Sequence, residues 1–439
     1  GEIGRAQALQ ARAAGIEPVV AMNPVLLKPE GEMRSQRVLL GKVCGVRDAR
    51  QWHAPQDDAR QAIANSLRRL RADADLVLIE GAGSPAELNL LDGDLANMHT
   101  ARLAEAPVLL AADIERGGVF AALYGTLALL QPQDRARIAG LIVNRFRGDA
   151  ALFAEGITLL EQWCRRPVLG VVPYLEHLAL PIEDSQSIER LAALDRADPD
   201  AVPVAVVVCP RVANLDDVLP LLIDRRFRVS FAYGPGMLNE ARLVLLPGSK
   251  ATTADLVWLR DRGFDTVIRA RHAAGAWVVG ICGGYQMLGR SIDHAGLESG
   301  PRCVDGIGLL PVATRYRPEK IVRRVRGKGA MGGPLAGAEL VGYEIHQGRV
   351  VGDAVAPLAD LTAPAGEVEG AYGERTIGTS IHGLFDATEA RDALARLLGA
   401  PELSARSFDA ILDAEIDRWA DHLAEHLDLV RISRVAGVN

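Results

Sequence analysis

Short apolar runs alternate with amphipathic stretches along the whole chain, a pattern that predicts strands and helices taking turns around a mostly parallel sheet. In the first half, near-continuous apolar runs at residues 75–79, 107–111, 138–143 and 167–172 predict strands covered on both faces, since a strand with one solvated face would alternate. Residues 55–71, 119–131 and 150–165 space their apolar positions as helices between those strands. A charged, proline-containing segment at 195–203 precedes a fresh strand at 204–208, and further strands follow at 243–246 and 277–281. The pattern therefore predicts two α/β domains in tandem, at residues 1–196 and 202–439. Residues 301–374 are rich in glycine and short strand-like runs, and residues 406–429 read as helical and fall in the second domain. No internal repeat or low-complexity tract breaks the pattern.

Composition narrows the class. Of 439 residues, 49% are hydrophobic and 24% charged, which excludes a disordered or fibrous chain. The net charge of −7 and an aromatic content of 5% are a poor footprint for a nucleic-acid binder. Cys44, Cys164, Cys209, Cys282 and Cys303 lie far apart with no C-x-x-C pair, which argues against a thiolate metal site or disulfide framework and fits a reducing cytoplasm. No run reaches the roughly 20 apolar residues of a membrane span, and residues 1–10 are not a secretory signal. The expected protein is cytoplasmic, with neither a nucleic-acid nor a membrane partner, and a homo-oligomer is left open.

The strongest chemical motif lies in the second half. The apolar run Val278-Val279-Gly280-Ile281 leads into Cys282, then Gly283, Gly284 and a helix. This is the G-x-nucleophile-x-G pattern of a sharp strand-to-helix turn, where neighbouring side chains would collide and the nucleophile is exposed. A thiolate at such a turn is favoured by the helix start behind it, and the Gly283 amide would face a developing oxyanion. A Pro-Gly loop at Pro247-Gly248-Ser249 ends another strand and could supply a second oxyanion amide. His382, in Ser380-Ile381-His382-Gly383, offers a base distant in sequence from the cysteine. Together these segments resemble the class I glutamine amidotransferase domain. That resemblance implies Cys282 as nucleophile, His382 as base, Gly248 and Gly283 lining the oxyanion hole, and Gln286 holding the glutamine. Most such domains carry a glutamate two residues after the histidine, but Leu384 stands there, as in the cobyric acid and cobyrinic acid diamide synthase branch. The sequence thus offers a Cys–His pair whose orienting group it does not name. Glu344 and His346, two apart on one predicted strand face, are expected to support the site.

The first half carries nucleotide-handling tips. Glu80 ends an apolar run before Gly81-Ala82-Gly83, Asp113 precedes Arg116-Gly117-Gly118, and Asn144 precedes Arg145. A carboxylate at the carboxyl end of a parallel strand suits nucleotide-linked Mg²⁺, and glycines let amides approach phosphates. The three tips in this order resemble the dethiobiotin synthetase-like P-loop ATPases. The resemblance implies Glu80 as an Mg²⁺ ligand and Asn144 and Asp113 as ATP contacts. The phosphate loop G-x-x-x-x-G-K-[ST] itself does not occur in the chain. The helix at residues 4–14 should follow that loop, so the sequence reads as N-terminally truncated and is expected, as it stands, to retain glutaminase-type reactivity without ligase turnover.

Longer phrases complete the picture: Glu2-Ile3-Gly4-Arg5-Ala6-Gln7, Met22-Asn23-Pro24-Val25, Glu80-Gly81-Ala82-Gly83-Ser84-Pro85, Gly93-Asp94-Leu95-Ala96-Asn97-Met98 and Gly342-Tyr343-Glu344-Ile345-His346-Gln347-Gly348. With the cysteine segment they resemble the cobyric acid synthase family over nearly the whole chain. The family implies a glutamine-hydrolysing, ATP- and Mg²⁺-dependent amidation of the b, d, e and g carboxylates of adenosylcobyrinic acid a,c-diamide, giving adenosylcobyric acid. It implies an acyl phosphate and a sheltered passage for ammonia, which in water is mostly protonated. Asn23, Lys28, Ser84 and Arg116 are its candidate corrinoid contacts, whereas the basic run Arg323, Arg324, Arg326 and Lys328 reads as a solvated hairpin. Two alternatives remain: a cobyrinic acid a,c-diamide synthase, and a P-loop-less corrinoid- or glutamine-binding subunit without ligase activity.

Overall fold

The computed structural model describes residues 1–29, 34–48, 56–181, 188–194, 197–352, 355–400 and 406–438. The described chain divides into two units, one formed by Gly1–Leu178 with Glu415–Asn439 and the other by Ala179–Ala414.

In the second unit the apolar runs become a six-stranded sheet in the order Ala371–Gly373, Thr376–Thr379, Trp277–Ile281, Leu243–Leu246, Val202–Val207 and Phe227–Ala232. All neighbours are parallel except the first pair. Strand alternation explains why the runs are apolar throughout. Val204, Val206, Leu243, Leu245, Val279 and Ile281 enter one core, while Ala205, Val207, Val244, Leu246 and Val278 enter the core on the opposite face. The glycine-rich region contains a long antiparallel hairpin, Ala313–Gly329 with Glu339–Val351, where short strands were expected. Exposed arginines and lysine at 315, 317, 324, 326 and 328 interrupt its apolar pattern and make one strand read as several pieces. The two-residue strand Ile381–His382 pairs with this hairpin at Tyr343 and Glu344. Only Ser380 separates it from Thr376–Thr379 in the parallel sheet, so His382 sits where the chain crosses from one sheet to the other.

The first unit has a parallel sheet of Val108–Asp113, Ile138–Phe146 and Val168–Pro173, with Val119–Leu129 and Ala154–Cys164 as helices between them. A separate antiparallel sheet joins Val25–Pro29, Arg34–Leu39 and Lys42–Asp48. The expected strand at residues 75–79 does not form. An apolar run specifies burial, but a strand also needs a neighbouring backbone to bond, and among the described residues none pairs with it; Leu78 is 86% exposed.

The units also divide elsewhere than at 196–202. Asp195 and Arg196 lie outside the described residues, and Ala179, Ile188, Leu191 and Leu194 already belong to the second unit's core. The residues from Glu415 onward, expected in the second domain, cluster with the first unit. There Asp428 N donates to Leu169 O (2.7 Å), His422 Nε2 to Pro173 O (2.9 Å) and Arg418 Nη2 to Glu176 O (2.9 Å). Burial and hydrogen bonding, not the charged proline segment, set the division. Among the described residues no helix is long and apolar enough to cross a membrane.

Candidate active site

Cys282 occupies the single step between the strand Trp277–Ile281 and the helix Gly283–Leu288, with φ 51° and ψ −107°. A non-glycine residue held at positive φ is strained, and the surrounding glycines show what holds it. A Cβ on Gly280 would lie 2.6 Å from the Gly284 backbone, one on Gly283 would lie 2.8 Å from Ser249 N, and one on Gly284 would run into the Leu246 carbonyl. The turn is thus wedged between its own helix and the Gly248–Ser249 strand, which brings the two expected oxyanion segments together. A Gly284→Ala variant should lose about 3 kcal/mol of stability or more, the scale of overpacking against unyielding backbone, measured by urea unfolding against wild type.

His382 is wholly buried, and its Nδ1 donates to Asp217 Oδ2 at 2.7 Å. Asp217, itself 1% exposed, also accepts the Gly383 amide through Oδ1 (2.8 Å), so the carboxylate fixes both the ring and the backbone beside it. The Asn214 amide lies along the ring edge, its Nδ2 3.0 Å from Nε2. Tyr343 stacks on the imidazole, with ring centres 5.2 Å apart. Burial works against a charged ring. Asp217 and Cys282, both bonded to it, outweigh that effect and push His382 up to about 10. The imidazole thus has its Nδ1 side held by a carboxylate while the Cys282 sulfur lies within reach, the arrangement of a nucleophile, a base and an orienting acid.

The remaining expected residues of this unit play more distant parts. Gln286 is buried and its Oε1 accepts from the Tyr316 hydroxyl (2.8 Å), which also meets Thr252 Oγ1 (3.0 Å), so this carbonyl is already engaged. Glu344 and His346 share a strand face, as the two-residue spacing predicts, but Tyr343, the residue before Glu344, is the one that meets His382. Alternation sends Glu344 and His346 to the opposite face. Glu344 takes Arg323 Nε, and His346 Nδ1 donates to Gly348 O at 2.7 Å. Burial raises the Glu344 carboxyl, yet His346 and Arg323 together hold it below its usual range. Arg323 also pairs with Glu367, so the basic run is partly a structural hairpin element.

In the first unit, Asp113 and Asn144 are register partners at the ends of adjacent parallel strands. Asp113 accepts the Glu115 amide (2.7 Å) and pairs with Arg145 (3.0 Å), while Asn144 Oδ1 accepts the Arg145 amide (2.8 Å). Glu80 is exposed and accepts from Gln10 Nε2 (2.7 Å). Asn97 holds the glycine loop beside it: its amide donates to Ala82 O (2.8 Å) and accepts from Ala82 N (3.0 Å). Of the proposed corrinoid contacts, Asn23 is tied to Gly4 N (2.8 Å), Lys28 pairs with Glu2, Ser84 Oγ accepts the Ala86 amide (3.2 Å), and Arg116 is exposed.

Residues 203–390 match the CobB/CobQ-like glutamine amidotransferase domain, and residues 38–181 match an AAA domain. A cobyric acid synthase of Sorangium cellulosum is 46% identical over 472 residues, covering 100% of this chain and 89% of that protein. Cobyric acid synthases of Cereibacter sphaeroides and Desulforudis audaxviator are 46% and 45% identical over 442 and 449 residues, each with 89% of its length covered. The chain belongs to the cobyric acid synthase family. It carries the family's two parts, an N-terminal AAA-type domain and a C-terminal glutamine amidotransferase domain.

Within this cobyric acid synthase family member, sequence reasoning missed Asp217, Asn214 and Tyr343. Tyr343 lies inside a heptad singled out for its neighbours. Asp217 lies 165 residues before His382 on the short turn Leu215–Val218. Its one visible signal is a carboxylate set directly against the apolar run Val218-Leu219-Pro220-Leu221-Leu222, whose burial forces any charge beside it to find a partner.

Proposed function

We propose that this protein hydrolyses glutamine at Cys282 and uses the ammonia, with ATP, to amidate the b, d, e and g carboxylates of adenosylcobyrinic acid a,c-diamide, giving adenosylcobyric acid. The observation that carries the reading is the buried Asp217–His382 pair facing Cys282 on its strained turn, in a chain of this family. The Cys282 thiolate attacks the side-chain carbonyl of glutamine. The Gly283 amide and the Gly248–Ser249 backbone meet the developing oxyanion. Collapse breaks the carbon–nitrogen bond as His382 gives its proton to the leaving nitrogen, so ammonia departs and a glutamyl thioester remains. Water, deprotonated by His382, then releases glutamate and restores the thiol.

A carboxylate resists attack by ammonia, so the corrinoid carboxylate first takes the γ-phosphoryl group of ATP to become an acyl phosphate. Ammonia then displaces phosphate and forms the amide. Asp113 and Asn144, adjacent at their strand ends, are the residues proposed to meet the nucleotide. Mg²⁺ bound by few protein carboxylates and by phosphates would neutralise charge on the transferring group, and exposed Glu80 beside the glycine loop fits such a site. Asn23, Lys28, Ser84 and Arg116 are proposed toward the corrinoid. The hydrogen bonds of the first three argue that they shape loops as well.

Mass spectrometry of corrinoid products tests the reading. Protein expressed from its complete coding sequence, given the a,c-diamide, glutamine, ATP and Mg²⁺, should yield four carboxyl-to-carboxamide conversions. Conversion of cobyrinic acid at the a and c groups instead would make it the diamide synthase, and glutamine hydrolysis without any amidation would overturn the ligase reading.

A further inference from the structure

Glu369 is a buried carboxyl group that the hydrolysis above does not use. It ends the strand Ala365–Glu369, is 6% exposed, and has both oxygens engaged. Oε2 accepts from Thr379 Oγ1 at 2.7 Å and Oε1 from the Ser380 amide at 2.6 Å. Ser380 is the one residue between the strand Thr376–Thr379 of the parallel sheet and Ile381–His382 of the second sheet. Thr379 is tied further: its carbonyl accepts the Cys282 amide (2.8 Å), and its hydroxyl accepts the Ile381 amide (3.0 Å). One carboxylate therefore grips both Thr379, whose other bonds reach the nucleophile and the strand of the base, and Ser380, the residue that joins the two sheets.

Resting on the glutaminase reading, we propose that Glu369 is a positioning residue that sets the Cys282–His382 geometry by clamping the Thr379–Ser380 crossing between the two sheets. The physical basis is that a carboxylate accepts both donors at full strength, whereas its protonated form keeps only part of that acceptor capacity. Burial pushes Glu369 up to about 7, against the pull of the Ser380 amide and the Thr379 hydroxyl. The groups facing it are Glu344, which raises it, and His346, which lowers it, from the adjoining hairpin, and Tyr285 from the helix after Cys282. Arg323 and Glu367 join this set through Glu344. A carboxyl with a raised value holds its proton below about 7, so the clamp tightens as pH rises through that point and slackens below it.

Steady-state glutamine hydrolysis by the chain, followed from pH 5.5 to 9, tests the inference with four variants. Glu369→Gln should lower kcat about tenfold or more with KM within about twofold, since small displacements of a reacting pair are costly. The fall in wild-type kcat below pH about 7 should be absent in this variant, which resembles the protonated clamp at every pH. Thr379→Val should reproduce the kcat loss and Thr379→Ser should restore it, so the test survives if Glu369→Gln does not fold. A folded Glu369→Gln with wild-type kcat and the same acidic limb would overturn the proposal, as would Thr379→Val equal to wild type, or a change confined to KM. Cys282→Ala separates the two readings: activity surviving there defeats the glutaminase assignment itself, whereas its loss beside an unaffected Glu369→Gln defeats the clamp alone.

Discussion

Cys282→Ala should abolish glutamine-dependent amidation, lowering its rate by at least about 10⁴-fold, while amidation supported by ammonium salt at alkaline pH persists. Alanine fits the wedged turn, because it removes only the sulfur and leaves the backbone at φ 51° no more strained than before. The variant should therefore fold as wild type. No adjacent side chain can take over as nucleophile at this step, since the neighbours are Ile281 and Gly283. The measurement is corrinoid product by mass spectrometry with either nitrogen source. Equal losses with glutamine and with ammonia would mean that Cys282 serves the ligase chemistry, and the division of labour proposed above would fall.

Asp217→Asn should cost glutamine hydrolysis about 10³–10⁴ in kcat, by analogy with loss of the acid in other nucleophile–histidine–acid sites. The asparagine amide can still accept the Gly383 bond, but it presents no negative charge to the His382 ring. Two effects follow. The ring loses the partner that selects the Nδ1–H tautomer, and it loses the first of the charges that raise it against the cost of burial. The sign of the pH effect is fixed by that raised value. His382 keeps its proton up to about 10, so wild-type activity that needs the imidazolium as acid fails only on the far alkaline side. With Asp217 neutralised the proton leaves at lower pH, and the alkaline limb of kcat moves toward neutrality. A kcat–pH profile of the variant with an unmoved alkaline limb would show that Asp217 holds the backbone at Gly383 and does not tune the ring.

The parts of this molecule that were legible in the sequence are those fixed by local rules. Val202–Val207, Leu243–Leu246 and Trp277–Ile281 are apolar throughout because both of their faces are covered, and the glycines around Cys282 are required by backbone collisions within a few residues. Asp217 and Glu369 were not legible, because each acts across a fold in which its partner is set by sheet order and not by spacing. The pattern at 75–79 misled for the complementary reason: hydrophobicity is local, but strand pairing is not. The hairpin at 313–351 was underestimated because solvent-facing basic residues hide the continuity of a strand.

The return of residues 415–439 to the first unit has a consequence for how the protein is made. The strand Val168–Pro173 is finished before the second unit is made, yet two of its hydrogen-bonding partners, His422 and Asp428, leave the ribosome only after the entire second unit has been produced, as does Arg418, which bonds Glu176 just beyond the strand. The amidotransferase unit is continuous in sequence and can begin to fold as it emerges. The first unit is therefore completed only after the second unit, which interrupts it in sequence, has been made.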